Sequence, residues 1–105
     1  VLRDRHDRGT QLASGCTGAM LLAEAGLLEG KQATTHPVAR DDLHARGITF
    51  VPEVRVVDAG DVVTAGGVTS GLDLGLWLLE REAGSAMRER IETHLVHPMG
   101  KVLKS

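Results

Sequence analysis

The stretch QLASGCTGAMLLAE, Gln11 to Glu24, constrains this chain more than any other. A short run ends at Ser14-Gly15, and the only cysteine, Cys16, follows at once. Thr17-Gly18 then opens the apolar segment Ala19 to Ala25, which carries a single charge at Glu24. That order reads as strand, sharp turn, helix over residues 10–25. Such a turn lifts a side chain above the sheet edge beside a helix N-terminus, where free backbone N–H groups favour a thiolate over a thiol. Ser14, Gly15 and Gly18 are small enough to allow a close backbone approach. The pattern is the cysteine form of a nucleophile elbow, with Ser14 where the usual pattern has glycine. The competing reading is a buried cysteine packed as a small hydrophobe. The glycine placement and the turn favour a reactive thiol.

Composition narrows the class of protein rather than its function. With 105 residues, 42% hydrophobic and 25% charged, the chain suits one small domain; a domain of this size buries roughly 60–65% of its unfolded surface. The net charge of −2 gives no strong attraction to nucleic acid or an anionic membrane, so neither is expected as a partner. One cysteine rules out an intrachain disulfide framework and fits a reducing, cytoplasmic compartment. No signal peptide is visible, and no apolar run approaches the length of a membrane span. Phe50 and Trp77 are the only aromatic residues, so aliphatic side chains must form the core.

Around the elbow the chain reads as alternating strands and helices. Val1 to Arg8 looks like the last turns of a helix stopped by Gly9, or else a solvated leader. Thr10 to Ala13 is the elbow strand, and Gly26 can end the elbow helix in the left-handed conformation. Leu27 and Leu28 should pack back onto that helix. Gln32 to Thr35 is a short strand broken by His36-Pro37, and Pro37 suits the first turn of a new helix. That helix carries Asp41, Asp42, Leu43 and Arg46 and stops at Gly47; being mostly polar, it should lie outside the sheet. Ile48 to Val51 is extended. Residues 54–65 form a hairpin turning at Ala59-Gly60. Residues 70–83 form a helix apolar nearly all round, with Ser70 and Asp73 at capping-box spacing. Residues 85–95 form a charged amphipathic helix with Met87, Ile91 and Leu95 at helical spacing. Val96 to Ser105 reads as a loose basic tail.

Five histidines remain. His36 ends a strand close to the elbow in sequence, and strand ends in open α/β sheets crowd the active crevice, so it is a candidate base or orienter for the thiolate. The alternative is a capping or solvent-exposed histidine, which Pro37 beside it favours. His6, His44, His94 and His97 read as surface residues. No histidine or cysteine cluster has metal-ligand spacing, and no dinucleotide fingerprint follows a strand, so no metal or cofactor is expected. Gly66-Gly67 with Thr69 could hold an anion at a helix start, but a turn close to the sheet is the simpler reading.

The run SGCTGAMLLAEAGLLEGKQATTH, Ser14 to His36, together with VVTAGGVTSGLDLGLWLLE, Val62 to Glu80, resembles the DJ-1/PfpI superfamily. This is also called the class I glutamine amidotransferase-like fold. Within it the nearest resemblance is to isocyanide hydratases and to the sensor-like domain of AraC-type regulators. The resemblance implies a flavodoxin-like three-layer α/β sandwich truncated at its N-terminus, since only the second half of the family domain is matched. It implies that Cys16 is the nucleophile and that Thr17 supplies an oxyanion-hole backbone N–H. It places Asp73 at a structural position. Histidine does not follow the cysteine, so a peptidase is disfavoured; the surroundings of Glu92 and His94 do not match a glutamine hydrolase. The expected function is a cysteine-dependent hydratase or hydrolase acting on a small molecule such as an isocyanide. The alternatives are a ligand-sensing domain of a transcriptional regulator and a redox-responsive protein. The acid that faces the cysteine would come from the missing half. A homodimer or an absent N-terminal segment is expected to cover the apolar helix of residues 70–83.

Overall fold

The computed structural model describes residues 2–15, 18–67, 70–95 and 97–105. The opening charged run is a helix, α1 (Leu2–Asp7), closed by Gly9 at φ +91°. The N–H of Thr10 returns to the carbonyl of Arg5. Thr10 therefore finishes the helix, and the elbow strand starts later than its sequence suggests, as β1 (Leu12–Ser14). Past the elbow come α2 (Ala19–Glu24), β2 (Gln32–Ala33), a 3₁₀ turn at Pro37–Ala39, α3 (Arg40–Ala45) and β3 (Thr49–Phe50). The hairpin strands are β4 (Val56–Asp58) and β5 (Val62–Ala65). Two helices follow, α4 (Ser70–Ala83) and α5 (Ser85–Leu95), and then β6 (Val102–Lys104).

Four strands form one sheet in the order β1-β5-β4-β6. β1 runs parallel to β5 with Ser14 opposite Thr64, β4 is antiparallel to β5, and β6 is parallel to β4. A separate parallel pair joins β2 to β3. Alternation along β5 gives the layers. Val62 packs with Ala19, Leu22, Leu28 and Leu43 on one face, whereas Val63 packs with Val56, Ala65 and Trp77 on the other. The sheet therefore lies between α2 and α3 on one side and α4 on the other, the three-layer α/β sandwich that the resemblance implies.

Three further expectations change. The tail after α5 is not loose, because β6 adds to the outer edge of β4. The N–H of Arg55 donates to Lys101 at 2.8 Å and that of Ser105 donates to Asp58 at 2.8 Å. All three β4 residues are buried, and a buried strand needs its outer edge paired. β2 ends at Ala33 rather than Thr35, and the N–H of Thr34, on the edge away from β3, donates to the side-chain oxygen of Thr64 at 2.9 Å. Finally, α4 has a buried stripe and an open face. Ser70, Asp73, Leu76 and Trp77 are buried, whereas Leu72 is 47% exposed. The spacing of the stripe is that of a helix lying on a sheet with α5 alongside.

Candidate functional site

The nucleophile-elbow reading rests on Cys16 and Thr17, which lie outside the described residues, as does Thr69 of the suggested anion turn. Their flanks are well defined. Ser14 ends β1 and is buried. The N–H of Gly18 donates to the carbonyl of Gly15 at 2.9 Å, and α2 starts directly after Gly18 with no side chain capping it. A methyl group added at Gly18 would lie 3.4 Å from the Ser14 Cβ, in van der Waals contact, so the end of β1 and the start of α2 lie close together. Only six residues long, α2 has a short dipole; first-turn amides, rather than helix length, are what such a helix offers an anion.

Three strand ends converge here. Ser14 on β1 is the register partner of Thr64 on β5. Thr64 accepts the N–H of Thr34, just past β2. Gly66, after β5, is buried against the Thr35 carbonyl and the Ser70 side chain. A row of small hydroxyl residues, Ser14, Thr34, Thr35, Thr64 and Ser70, thus lies buried at the carboxyl end of the parallel strands. Sequence reasoning missed this row because each member is unremarkable alone; its only signal was small polar residues in otherwise apolar strands. The Ser14 hydroxyl has no hydrogen-bond partner among the described residues.

His36 sits two residues beyond Thr34, at the rim of this crevice, and is half-buried. Its Nδ1 accepts the N–H of Val38 at 3.2 Å, capping the 3₁₀ turn that Pro37 begins. That bond leaves the proton of a neutral ring on Nε2. The structural role foreseen for a histidine before proline is therefore filled. Asp41 and Asp42 are exposed on α3.

Two other charged groups differ from expectation. His6 is not a plain surface residue, since its Nε2 contacts the Asp61 carboxylate, which also pairs with Lys31 at 2.6 Å. The Lys31 hydrogen bond is the main reason that the Asp61 carboxyl falls from 3.8 to about 2; burial opposes it and the His6 bond assists. His97 lies 3.5 Å from the fully buried carboxylate of Asp73, which also accepts the N–H of Gly100 and lies 3.4 Å from Arg55. Asp73 thus fastens the segment before β6 to the first turn of α4, in keeping with a structural position. His44 stacks edge-on against Phe50, and His94 is exposed. On α5, Arg88 holds Glu92 below its ordinary carboxylate range, and the N–H of Met99 adds to this.

A sheet layered between helices, with a glycine-flanked cysteine after a parallel strand, places the chain in the flavodoxin-like α/β class. Residues 1–81 match the DJ-1/PfpI family, and the chain belongs to that family. An isonitrile hydratase from Pseudomonas putida is 36% identical over 94 residues, 90% of this chain and 41% of that protein. A Parkinson disease protein 7 homolog from Danio rerio is 29% identical over 96 residues, 91% of this chain and 51% of the relative. The crystal structure of an AraC family transcriptional regulator from Pseudomonas putida superposes with a TM-score of 0.82 at 28% identity. It covers 90% of this chain and 51% of that one. The chain spans about half the length, or less, of these relatives.

Proposed function

We propose that this chain is the nucleophile-bearing half of a cysteine-dependent hydratase acting on a small molecule such as an isocyanide. The 36% identity to an isonitrile hydratase, running through the elbow, carries the reading. In this mechanism the Cys16 thiolate attacks the terminal carbon of R–N≡C. A proton is delivered to that carbon, giving a thioimidate, R–N=CH–S–Cys16. Water adds to the imidate carbon, the C–S bond breaks, and R–NH–CHO leaves with the thiolate restored. Thr17 would contribute its backbone N–H to the developing negative charge, and His36 would order the attacking water.

The proton donor for the carbanion-like carbon is assigned to a carboxylate outside these 105 residues. Asp41 and Asp42 face solvent, and Asp73 is committed to Gly100, Arg55 and His97. Among the described residues β1 is hydrogen-bonded to a neighbour on one edge only, so its other edge can take a further strand of the domain or of a second copy. A cytoplasmic homodimer is part of the same proposal. The test compares isocyanide hydration by the 105-residue chain with that by a longer protein restoring the upstream half. Formamide release is expected only from the longer protein and should vanish in its Cys16→Ser variant. Equal turnover by the short chain, or full activity without the thiol, would remove this mechanism.

The similarity in fold to an AraC family regulator favours a second reading, a ligand-sensing domain. A longer protein that binds an isocyanide without consuming it, and changes its DNA affinity in response, would select it. A redox-responsive role would instead show as reversible oxidation of Cys16 by peroxide at low dose.

A further inference from the structure

A cavity of about 420 Å³ opens at the end of the sheet opposite the elbow, where β4 finishes and β5 begins. This is the volume of a small-molecule site. Its floor is rigid. Asp58 Oδ2 accepts the Trp77 indole N–H at 2.6 Å and lies 3.1 Å from Arg81 Nη1, while Oδ1 accepts the N–H of Gly60 at 2.8 Å. The same Arg81 nitrogen also donates to the Gly60 carbonyl at 3.1 Å. Asp58 thereby accepts two hydrogen bonds and pairs with Arg81.

Lys104 enters this cavity from β6. It is the register partner of Asp58 across the β4–β6 ladder, so both side chains leave the sheet on the Trp77 face. An ammonium so close to a carboxylate would ordinarily pair with it. Here the partner is already taken, and Lys104 Nζ lies over the indole ring, 5.7 Å from its centroid. Among the described residues no carboxylate lies within ion-pair distance of it. Glu80, the other acid lining the cavity, is held by Arg88 at 3.0 Å. Arg81 uses Nη1 alone for its contacts with Asp58 and Gly60; its Nη2 and Nε carry no partner among the described residues. Lys104 and Arg81 thus line the cavity with N–H donors that no described residue takes up, beside Asp58, which Arg81 pairs with, and Glu80, which shares Arg88 with Glu92.

We propose that this cavity binds a small oxyanion, the carboxylate or phosphate group of an organic molecule, between Lys104 and Arg81 against the Trp77 indole. Both cations match such a group, Lys104 as a point charge and Arg81 as a planar donor fork. The site is independent of the elbow chemistry. It depends instead on β6, since only the paired tail brings Lys104 to the cavity.

The indole N–H of Trp77 reports on the site directly, so the test follows its resonance in a ¹H–¹⁵N spectrum of the protein. Inorganic phosphate and acetate are titrated separately at constant ionic strength, with chloride as the balancing salt. A saturable shift is expected with at least one probe. The probe that binds more tightly tells a phosphate ester from a carboxylate as the ligand class. Lys104→Gln should weaken that binding about tenfold or more, the order expected for losing a charge-assisted hydrogen bond. Lys101→Gln, on the same tail but outside the cavity, should leave it unchanged. Lys104 is exposed, so its replacement should not unfold the protein, and thermal melts of both variants confirm that. The proposal is overturned if neither probe gives a saturable shift. It is equally overturned if Lys104→Gln binds as the unmodified protein does, or if Lys101→Gln weakens binding equally.

Discussion

Replacing Asp61 by asparagine removes one charge and almost no volume, and the structure states what should follow. Asp61 lies in the β4–β5 turn, and its carboxylate gathers His6 from α1 and Lys31 from the segment before β2. Three parts of the chain distant in sequence meet on it. In the folded state its carboxyl is lowered from 3.8 to about 2, with the Lys31 hydrogen bond the largest cause. A depressed acid contributes stability above its unfolded value and loses it as pH falls through the folded one. Converted without correction, the shift corresponds to about 2.5 kcal/mol. Asp61 is nearly half exposed, however, at 45%. Solvent screens such a pair, and ~1 kcal/mol is the contribution to expect. At neutral pH, Asp61→Asn should therefore melt about 4–8 °C below the unmodified protein. The gap should narrow as pH is lowered from 3.8 and close only below about 2, once Asp61 is protonated in the folded state as well. Circular dichroism melts across that range measure it, and added salt should narrow the gap. Adding Lys31→Met to the Asp61→Asn variant should cost little more. A gap that stays constant down to the lowest pH, or no gap at neutrality, would refute the assignment.

Three further outcomes follow from burial. Leu28 is fully buried between α2 and the sheet, so Leu28→Ala should cost ~2–5 kcal/mol in denaturant unfolding. Ser14→Ala removes a buried hydroxyl that has no partner among the described residues, so it should leave stability unchanged or raise it by up to ~1 kcal/mol; a loss of that size would reveal a hydrogen bond to this oxygen. Asp73→Asn keeps the acceptor for Gly100 but removes the charge beside Arg55 and His97. It should cost ~1–3 kcal/mol and raise amide exchange at residues 99–104, where β6 docks; unchanged exchange would mean that Asp73 does not hold the tail.

Local chemistry explains which parts of the fold were legible in the sequence. Gly9, Gly26, Gly47 and Gly60 all adopt positive φ at the turns and helix ends where the sequence places stops. Pro37 starts a turn capped by His36, as a proline at a first helical position predicts. What the sequence concealed is non-local. KVLKS looks like a tail because nothing within it shows that β4 has an open edge. His6 and His97 look like surface residues because Asp61 and Asp73, which face them, are far away along the chain. Trp77, readable only as core, also donates to Asp58 and floors a cavity. At the candidate site the sequence could name Cys16, Thr17 and His36. The meeting of three strand ends at Ser14, Thr64 and Thr34 depends on register, which no local pattern encodes.

The position of β1 in the sheet bears on the proposal that the chemistry draws on more protein than these 105 residues. Ligand crevices in open α/β sheets form at the carboxyl ends of strands where strand order reverses, with connections leaving to opposite faces. β1 ends two residues before Cys16 in the sequence, and its only neighbour among the described residues is β5. A strand with one neighbour lies at an edge, and an edge has no reversal. Adding strands to the free side of β1 would turn that edge into an interior position and wall the elbow on its second side. The longer relatives, of which this chain matches 41% and 51%, have the residues to supply such strands. On this reading the 105 residues hold the thiol, the hydroxyl-lined floor and the histidine rim, while the opposite wall and the acid arrive together. Supplying the upstream half as a separate chain should then restore hydration only if it pairs with β1. Amide protection at Leu12 and Ala13 should rise in step with activity. Activity that returned without that protection would place the acid elsewhere and break the link between the sheet edge and the chemistry.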